Sequence, residues 1–573
     1  MLIVLKKLRQ FRLSLPGFDF FPILLKVVFV IYALVITFND KASAQWSHKE
    51  GDPMPFTEGI LVQPFSRAEW EASNYAPEED LQWFRDAKVG FLAQFGLSTH
   101  DSAETSWGTC YTRKAPDVGH GPVPDEIWKG YKKEFRFGKF NATEWVEIMK
   151  RAGFRYFIAE AKHHEGFHWW DTEQSDFKVT NTPFGRDLLK EQADACHAAG
   201  MPFGIYYAQR EWNHPDYCPV DINKVVLRGL NWKLKSGETS PMGPTHFKYL
   251  EYNKKAVREL LTHYSKVDIF WWDAAWWGGM FTAEMWDAEN LTRMVRELQP
   301  NILQNNRASV PGDFDTPEQR LGSFQDWRLW ETCAPLGKQW GNPYSPLKPF
   351  RRLIGMIINN VCNDGNIMFG FGPQWDGSFT ESQKKRLYEI GDWLRQNGCS
   401  IYSTRGGPWK VSKWGGSTHS GKKAYLHITQ WNGETLRLPA VPHRKVLSAS
   451  LISGVTVKTK QFDDWIEVTI PQASRDSIDT IVELTMDESL DGLKAIESGT
   501  SLQFDEATYG HIVSYKAIVK ASSRGPGVFS ALAQGKKDHD LIQVFLNPPE
   551  SAKPGPLMPS GLISLVFLQS SKQ

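Results

Sequence analysis

The segment Lys266–Asp273, Lys-Val-Asp-Ile-Phe-Trp-Trp-Asp, sets a carboxylate at the end of a short β-branched and aromatic run. The helical pattern of Tyr252–Tyr264 precedes it and Gly278-Gly279 follows, so the run reads as a buried strand leading into a loop. In parallel α/β folds the chemistry collects at such strand ends, and Asp273 is the candidate this spacing nominates. Other polar residues gather at comparable places: Gln94, His163, His164, Tyr206, Arg307, Glu318 and Glu331 each come soon after an apolar run. Aromatic faces stack on the C–H faces of sugar rings, and Trp271 and Trp272 beside a strand-end acid point to a carbohydrate. Imidazoles are good donors to sugar hydroxyls. A metal is not expected at His163-His164, because neighbours on an extended chain point to opposite faces and no carboxylate stands at ligand spacing. There is no Gly-x-Ser-x-Gly elbow and no P-loop, which removes the serine-hydrolase and nucleotide-hydrolase readings.

Residues so far apart can meet only if a scaffold brings their strand ends together. Between Asp80 and Gly398, runs that read as strands lie at Lys88–Gly96, Arg155–His164, Pro202–Ala208, Val267–Asp273, Asn301–Arg307, Gly322–Glu331 and Asn366–Pro373. Amphipathic segments separate them: Thr143–Ala152, Arg186–Ala199, Tyr252–Tyr264, Ala283–Leu298, Phe350–Val361 and Glu381–Asn397. Asn141 stands at a helix N-cap position, with Gly153 and Gly200 as C-terminal stops. No glycine-rich phosphate loop follows the first strand, so a closed (β/α)8-like barrel is expected over a doubly wound sheet.

The chain opens with Lys6, Lys7, Arg9 and Arg12, then an apolar stretch Phe20–Phe38, then Ala42-Ser43-Ala44, the form of a signal-peptidase site. Residues 1–44 are expected to be a signal peptide that sends the protein out of the cytoplasm. The apolar stretch is also long enough to serve as an uncleaved anchor. Lys+Arg 66 against Asp+Glu 65 leaves a net charge of +1, which offers nucleic acid no electrostatic footing. The six cysteines lack Cys-x-x-Cys pairing and allow a disulfide or two but not a disulfide scaffold.

Taken in order, these residues resemble glycoside hydrolase family 29, the retaining α-L-fucosidases, from about Trp83 to Arg405. The likeness rests on Lys162-His163-His164-Glu165-Gly166-Phe167, Phe203-Gly204-Ile205-Tyr206-Tyr207 and Trp271-Trp272-Asp273. It continues through Asn306-Arg307, Asp315-Thr316-Pro317-Glu318, Trp330-Glu331-Thr332-Cys333, Trp340-Gly341, Gly365-Asn366, Gly372-Pro373, Asp376-Gly377 and Ile401-Tyr402. The resemblance implies a retaining exo-glycosidase needing no cofactor, with Asp273 as nucleophile and Glu318 as acid/base, Glu331 being the rival for that second role. It further implies that Gln94, Trp107, His163, His164, Tyr206, Trp271 and Arg307 grip the sugar of a fucosylated oligosaccharide or polysaccharide. Departures fall in the same pocket: Gln94 replaces a sugar-binding His, Glu165 an Asp, Ala274 a Gly and Gly370 an Asn. They keep open a relative acting on L-galactose, or a non-catalytic carbohydrate-binding protein on the same barrel.

Beyond Ser403 the texture changes to short alternating runs in Ala424–Gln430 and Arg444–Thr469, with turns at Asn432-Gly433 and Ser453-Gly454. A small β-sandwich is expected there. The chain thus divides into 1–44, a catalytic barrel over 45–400, a sandwich over 401–487 and an extension over 488–573 that includes the Pro-rich Asn547–Pro559.

Overall fold

Five of the expected strands carry runs in which both faces are apolar, the pattern of a parallel sheet buried on two sides. The computed structural model describes residues 67–106, 123–211, 213–217, 245–273, 283–319, 324–498, 528–534 and 539–545. In it β1 (Val89–Ala93), β2 (Phe157–Lys162), β3 (Phe203–Ala208), β4 (Ile269–Asp273), β5 (Leu303–Gln304), β6 (Phe314–Asp315), β7 (Leu329–Pro335) and β8 (Asn366–Phe371) form one parallel sheet. Its order is β5-β4-β3-β2-β1-β8-β7-β6, and a bridge between Asn305 and Phe314 joins the two ends. The sheet therefore closes into a (β/α)8-like barrel, as the alternating pattern predicts.

Alternate residues segregate cleanly. Leu92, Ile158, Tyr206, Ile269, Trp271, Leu303, Phe314, Cys333 and Met368 pack together inside the barrel. Phe91, Phe157, Phe203, Phe270 and Phe369 face outward into the layer that the helices cover. One helix, α1 (Glu78–Ala87), instead sends Leu81, Phe84 and Ala87 into the inner cluster; the covering helices are α2 (Ala142–Arg151), α3 (Leu188–Ala198), α4 (His246–His263), α5 (Ala288–Leu298), α6 (Phe350–Cys362) and α7 (Glu381–Asn397). Asn141 caps α2 by accepting from Glu144 N at 3.1 Å, and Gly153 and Gly200 take the left-handed φ that ends a helix. Thr380 and Gln383 form a capping box at the start of α7.

Two differences from the sequence reading bear on the site. The strand expected at Gly322–Glu331 begins at Leu329, and β6 comes earlier, at Phe314–Asp315. No α-helix intervenes between β5 and β6 or between β6 and β7 among the described residues, so this part of the barrel is built from turns and a single 3-10 turn at Asn306–Ala308. The α1 helix was not foreseen, because its sequence is mostly charged and only Leu81, Phe84 and Ala87 are buried.

After Ser403 come β9 (Arg405–Gly406), β10 (Gly415–Ser420), β11 (Lys423–Ile428), β12 (Thr435–Pro439), β13 (Val446–Leu451), β14 (Lys458–Gln461), β15 (Trp465–Thr469) and β16 (Thr480–Met486). They make a five-stranded and a three-stranded antiparallel sheet sharing a core that includes Leu426, Leu438, Ile466 and Val482. This is the expected sandwich, and its core also takes in Leu490. Further on, β17 (Val528–Gln534) and β18 (His539–Phe545) pair as a hairpin. Among the described residues, Cys196, Cys333, Cys362 and Cys399 are free thiols, and no helix is long and apolar enough to cross a membrane. The signal peptide expected at 1–44, Trp107, Ala274, Cys110 and Cys218 lie outside the described residues.

Candidate active site

Asp273 ends β4 with both carboxylate oxygens engaged. Tyr206 Oη donates to Oδ2 at 2.5 Å, Arg307 Nη1 donates to Oδ1 at 3.0 Å, and His164 Nε2 lies 3.7 Å from Oδ2. Burial, followed by the charges of Asp273 and Glu160, pushes the Tyr206 phenol well above its ordinary pKa, so it stays a donor.

Arg307 is the hub. It sits in the turn Asn306–Ala308 directly after β5, with its guanidinium 4.6 Å from the centre of the Trp271 ring. Nε donates to Thr316 Oγ1 at 2.9 Å, and Nη2 lies 3.0 Å from Glu318 Oε2. One planar guanidinium therefore holds Asp273 on one arm and Glu318 on the other. The local sequence explains how: Asn306 Nδ2 donates to Asp315 Oδ1 at 2.9 Å and its Oδ1 accepts from Thr316 Oγ1 at 3.1 Å. The chain then runs beside β7, where Cys333 N donates to Pro317 O at 3.1 Å and Gln319 N to Cys333 O at 2.8 Å, framing Glu318.

Glu331 lies elsewhere. It is two residues before Cys333 on β7, fully buried in the barrel, and accepts from Tyr156 Oη and from Trp271 Nε1 at 3.1 Å. Burial raises its pKa to about 7 against those donors and Arg307. Glu318 by contrast keeps 15% of its side chain exposed.

His163 and His164 correct the expectation of opposite faces. The register of β2 against β3 shifts between Glu160 and Lys162, leaving Ala161 as a bulge. The extra residue turns Lys162 outward to Glu211, at 2.8 Å, and His163 inward, where its ring lies parallel to Tyr206 at 5.9 Å. A turn closed by Gly166 N donating to His163 O then brings His164 to Asp273 as well. His163, His164 and Asp273 offer donor atoms all within 4.8 Å of one another, so a small cation would fit the set geometrically. The reading that adjacent histidines cannot share one ion does not hold here.

Gln94 is buried at the end of β1, and its Oε1 makes no hydrogen bond among the described residues. Gly370 is explained by Trp340, whose ring lies 2.5 Å from where a Cβ would stand. Glu104 holds Trp340 by accepting from its backbone N at 2.8 Å and 2.9 Å. The structure thus gathers Gln94, His163, His164, Tyr206, Trp271, Asp273, Arg307 and Glu318 around one end of the barrel and sets Glu331 beneath them.

The family model described as Alpha-L-fucosidase matches residues 62–399. The chain belongs to the alpha-L-fucosidase family. An alpha-L-fucosidase of Dictyostelium discoideum is 25% identical over 371 residues, covering 60% of this chain and 75% of the relative. The plasma alpha-L-fucosidase of Homo sapiens is 25% identical over 345 residues, 56% of this chain and 69% of the relative. Among solved structures, alpha-L-fucosidase isoenzyme 1 from Paenibacillus thiaminolyticus is 30% identical, covers 72% of this chain and 99% of its own, and superposes with a TM-score of 0.62. A Bacteroides thetaiotaomicron alpha-L-fucosidase, solved as a trapped covalent intermediate, shares the fold at 23% identity and a TM-score of 0.63, covering 72% of this chain and 97% of its own.

Within this alpha-L-fucosidase frame, four buried residues in or beside the pocket were not singled out as site residues in the sequence. Ser106 Oγ hydrogen-bonds His163 Nδ1, Lys162 pairs with Glu211, and Glu160 faces inward from β2. Only Glu160 carried a readable signal, an acid inside the apolar run Phe157-Ile158-Ala159-Glu160-Ala161. The parity that turns Lys162 outward follows from the bulge, which leaves no mark in the hydrophobic pattern.

Proposed function

We propose that this protein is a retaining exo-glycosidase that releases terminal α-L-fucosyl residues from oligosaccharides or polysaccharides by double displacement. The observation that carries the reading is Asp273 and Glu318 on the two arms of the Arg307 guanidinium, over the stacked pair Tyr206 and Trp271. Asp273 attacks the anomeric carbon as the bond to the leaving oxygen breaks, and that oxygen takes the proton of Glu318. Glu318 then removes a proton from water, whose oxygen displaces the Asp273 carboxylate and restores the free enzyme. His163 and His164 act as hydroxyl donors beside the nucleophile, and Tyr206 and Arg307 fix its orientation. Glu331 is the lesser candidate for the acid/base, because it is sealed beneath the pocket where a leaving group cannot reach. Trp107 is assigned to sugar binding by its place in the motif alone.

The unsatisfied amide of Gln94 also favours a fucose-like sugar with a further hydroxyl, such as L-galactose, as a second substrate. We assign residues 1–44 to a leader for export, 45–400 to the catalytic barrel, 401–487 to a supporting sandwich and 488–573 to an extension. The test is release of the aryl group from an aryl α-L-fucoside, with the configuration of the nascent sugar followed by NMR. The α anomer is expected to form first. Initial β anomer would overturn the retaining mechanism, and no release from any fucoside would overturn the activity.

A further inference from the structure

The register of the barrel lays four inward residues abreast below Asp273. Ala93 pairs with Ala159, so Gln94 and Glu160 follow side by side; Glu160 pairs with Tyr206, and Tyr206 with Trp271. Two of the four are already committed, Tyr206 to Asp273 and Trp271 to Glu331. The other two are not. Gln94 Oε1 and both oxygens of Glu160 are buried without a hydrogen bond of good geometry among the described residues; the indole Nε1 of Trp169 faces the Glu160 carboxyl, pulling its pKa down, but falls short of such a bond. Polar atoms sealed in this way cost about 1–3 kcal/mol each unless something pairs with them. A cluster of them in a sugar pocket is a place for a ligand's hydroxyl.

We propose that Glu160, with Gln94 beside it, receives a hydroxyl of the bound sugar and helps decide which sugar the pocket accepts; this rests on the glycosidase reading above. A hydroxyl both donates and accepts, and its best partner does the same. Burial, then the charges of Glu165 and Asp273, hold the Glu160 carboxyl well above its ordinary pKa. The titratable groups around it are Glu165 from the turn after β2, Asp273 from β4, Tyr206 from β3 and Glu104 from the loop after β1. Burial among these acids favours the neutral carboxyl, which offers both a donor and an acceptor. Its ionisation at high pH would leave it an acceptor only and remove the hydrogen bond it donates to the sugar.

The experiment compares wild type, Glu160→Leu and Glu160→Gln on aryl α-L-fucoside and aryl α-L-galactoside, with binding of free L-fucose measured by calorimetry. Glu160→Leu is expected to raise KM and weaken L-fucose binding by roughly tenfold or more, to change kcat less, and to alter the ratio of the two kcat/KM values. Glu160→Gln, which keeps a donor and an acceptor, is expected to lose less than about tenfold and to move the alkaline limb of the kcat/KM profile to higher pH. Unaltered KM, ratio and binding in a folded Glu160→Leu variant would overturn the proposal. Should that variant not fold, an unmoved alkaline limb in Glu160→Gln would overturn it instead. A wild type that binds L-fucose through Glu160 but turns over neither glycoside would sink the catalytic reading alone. A wild type that neither binds nor turns over would sink both.

Discussion

At the scale of single residues the pocket is organised by charge. In the proposed mechanism Asp273 carries one negative charge, Arg307 one positive, and Glu318 supplies the proton that moves. When Asp273 becomes an ester there, its charge passes to Glu318, so these three groups keep the same net charge at each stage. Asp273→Gly should abolish turnover, a loss of several kcal/mol in transition-state stabilisation, while azide restores part of the rate by occupying the vacated space. Substantial turnover in that variant without azide would show that another group is the nucleophile. Glu318→Ala should slow substrates with poor leaving groups far more than activated aryl glycosides, which leave unprotonated. Glu331→Ala should lack that dependence, and the two roles must be exchanged if it appears there. Glu331 makes a further prediction through stability. Burial lifts its pKa from 4.5 to about 7, so as pH rises across that window the unfolded carboxyl ionises first and the native state loses roughly 3 kcal/mol. Denaturant unfolding from pH 4.5 to 7 should show a loss in Glu331→Gln that is smaller than that of wild type by this amount.

At the scale of elements, strand β2 decides what the motif can do. Its bulge at Ala161 converts Lys-His-His from an alternating run into an outward lysine and two inward histidines. Lys162 and Glu211 are buried together, and Tyr252 Oη adds a hydrogen bond to Glu211 at 2.7 Å. Gly166 is required between them and the turn, since a Cβ there would stand 2.4 Å from Glu211 Cγ at a φ of +78. Glu211→Ala should therefore destabilise the fold by about 3–5 kcal/mol, because the lysine is left buried and unpaired. Thermal unfolding checks this, and a change well under 1 kcal/mol would mean that water reaches Lys162. The elements themselves were legible in the sequence where periodicity was clear: α2, α6 and α7, and strands β1 to β4, fall within a few residues of the expected spans, while α4 begins six residues before its expected start. Strand β6 was not, since two residues carry no period, and neither was the bulge, since inserting Ala161 into an apolar strand leaves it apolar. So most of the residues gathered at this end of the barrel were named from sequence, while Ser106, Glu160 and the convergence of His163 with His164 were not.

At the scale of the whole molecule, barrel and sandwich are joined by hydrogen bonds and packing. Thr418 Oγ1 donates to Ser400 O at 2.7 Å, Gly406 N to Asp364 Oδ1 at 2.9 Å, and Cys362 at the end of α6 crowds the place where a Cβ on Gly416 would stand. The change in texture after Ser403 made this second unit readable, whereas its contacts depend on packing that no single stretch encodes. The closure of the barrel is uneven. Strands β5 and β6 are two residues each, meet through one bridge, and are stapled by Asp313, which accepts from Gln304 N at 2.6 Å and from Arg296 Nη2 at 2.8 Å. Arg307 and Glu318 stand on either side of this seam. Local opening costs least where ladders are shortest, so a warmed molecule should part here while its longer strands still hold. Heat inactivation should accordingly set in below the temperature at which far-ultraviolet dichroism reports unfolding, and coincidence of the two curves would show the seam to be as firm as the rest. The barrel would then be an enzyme that stops working before it comes apart, with its least durable joint running between its two acids.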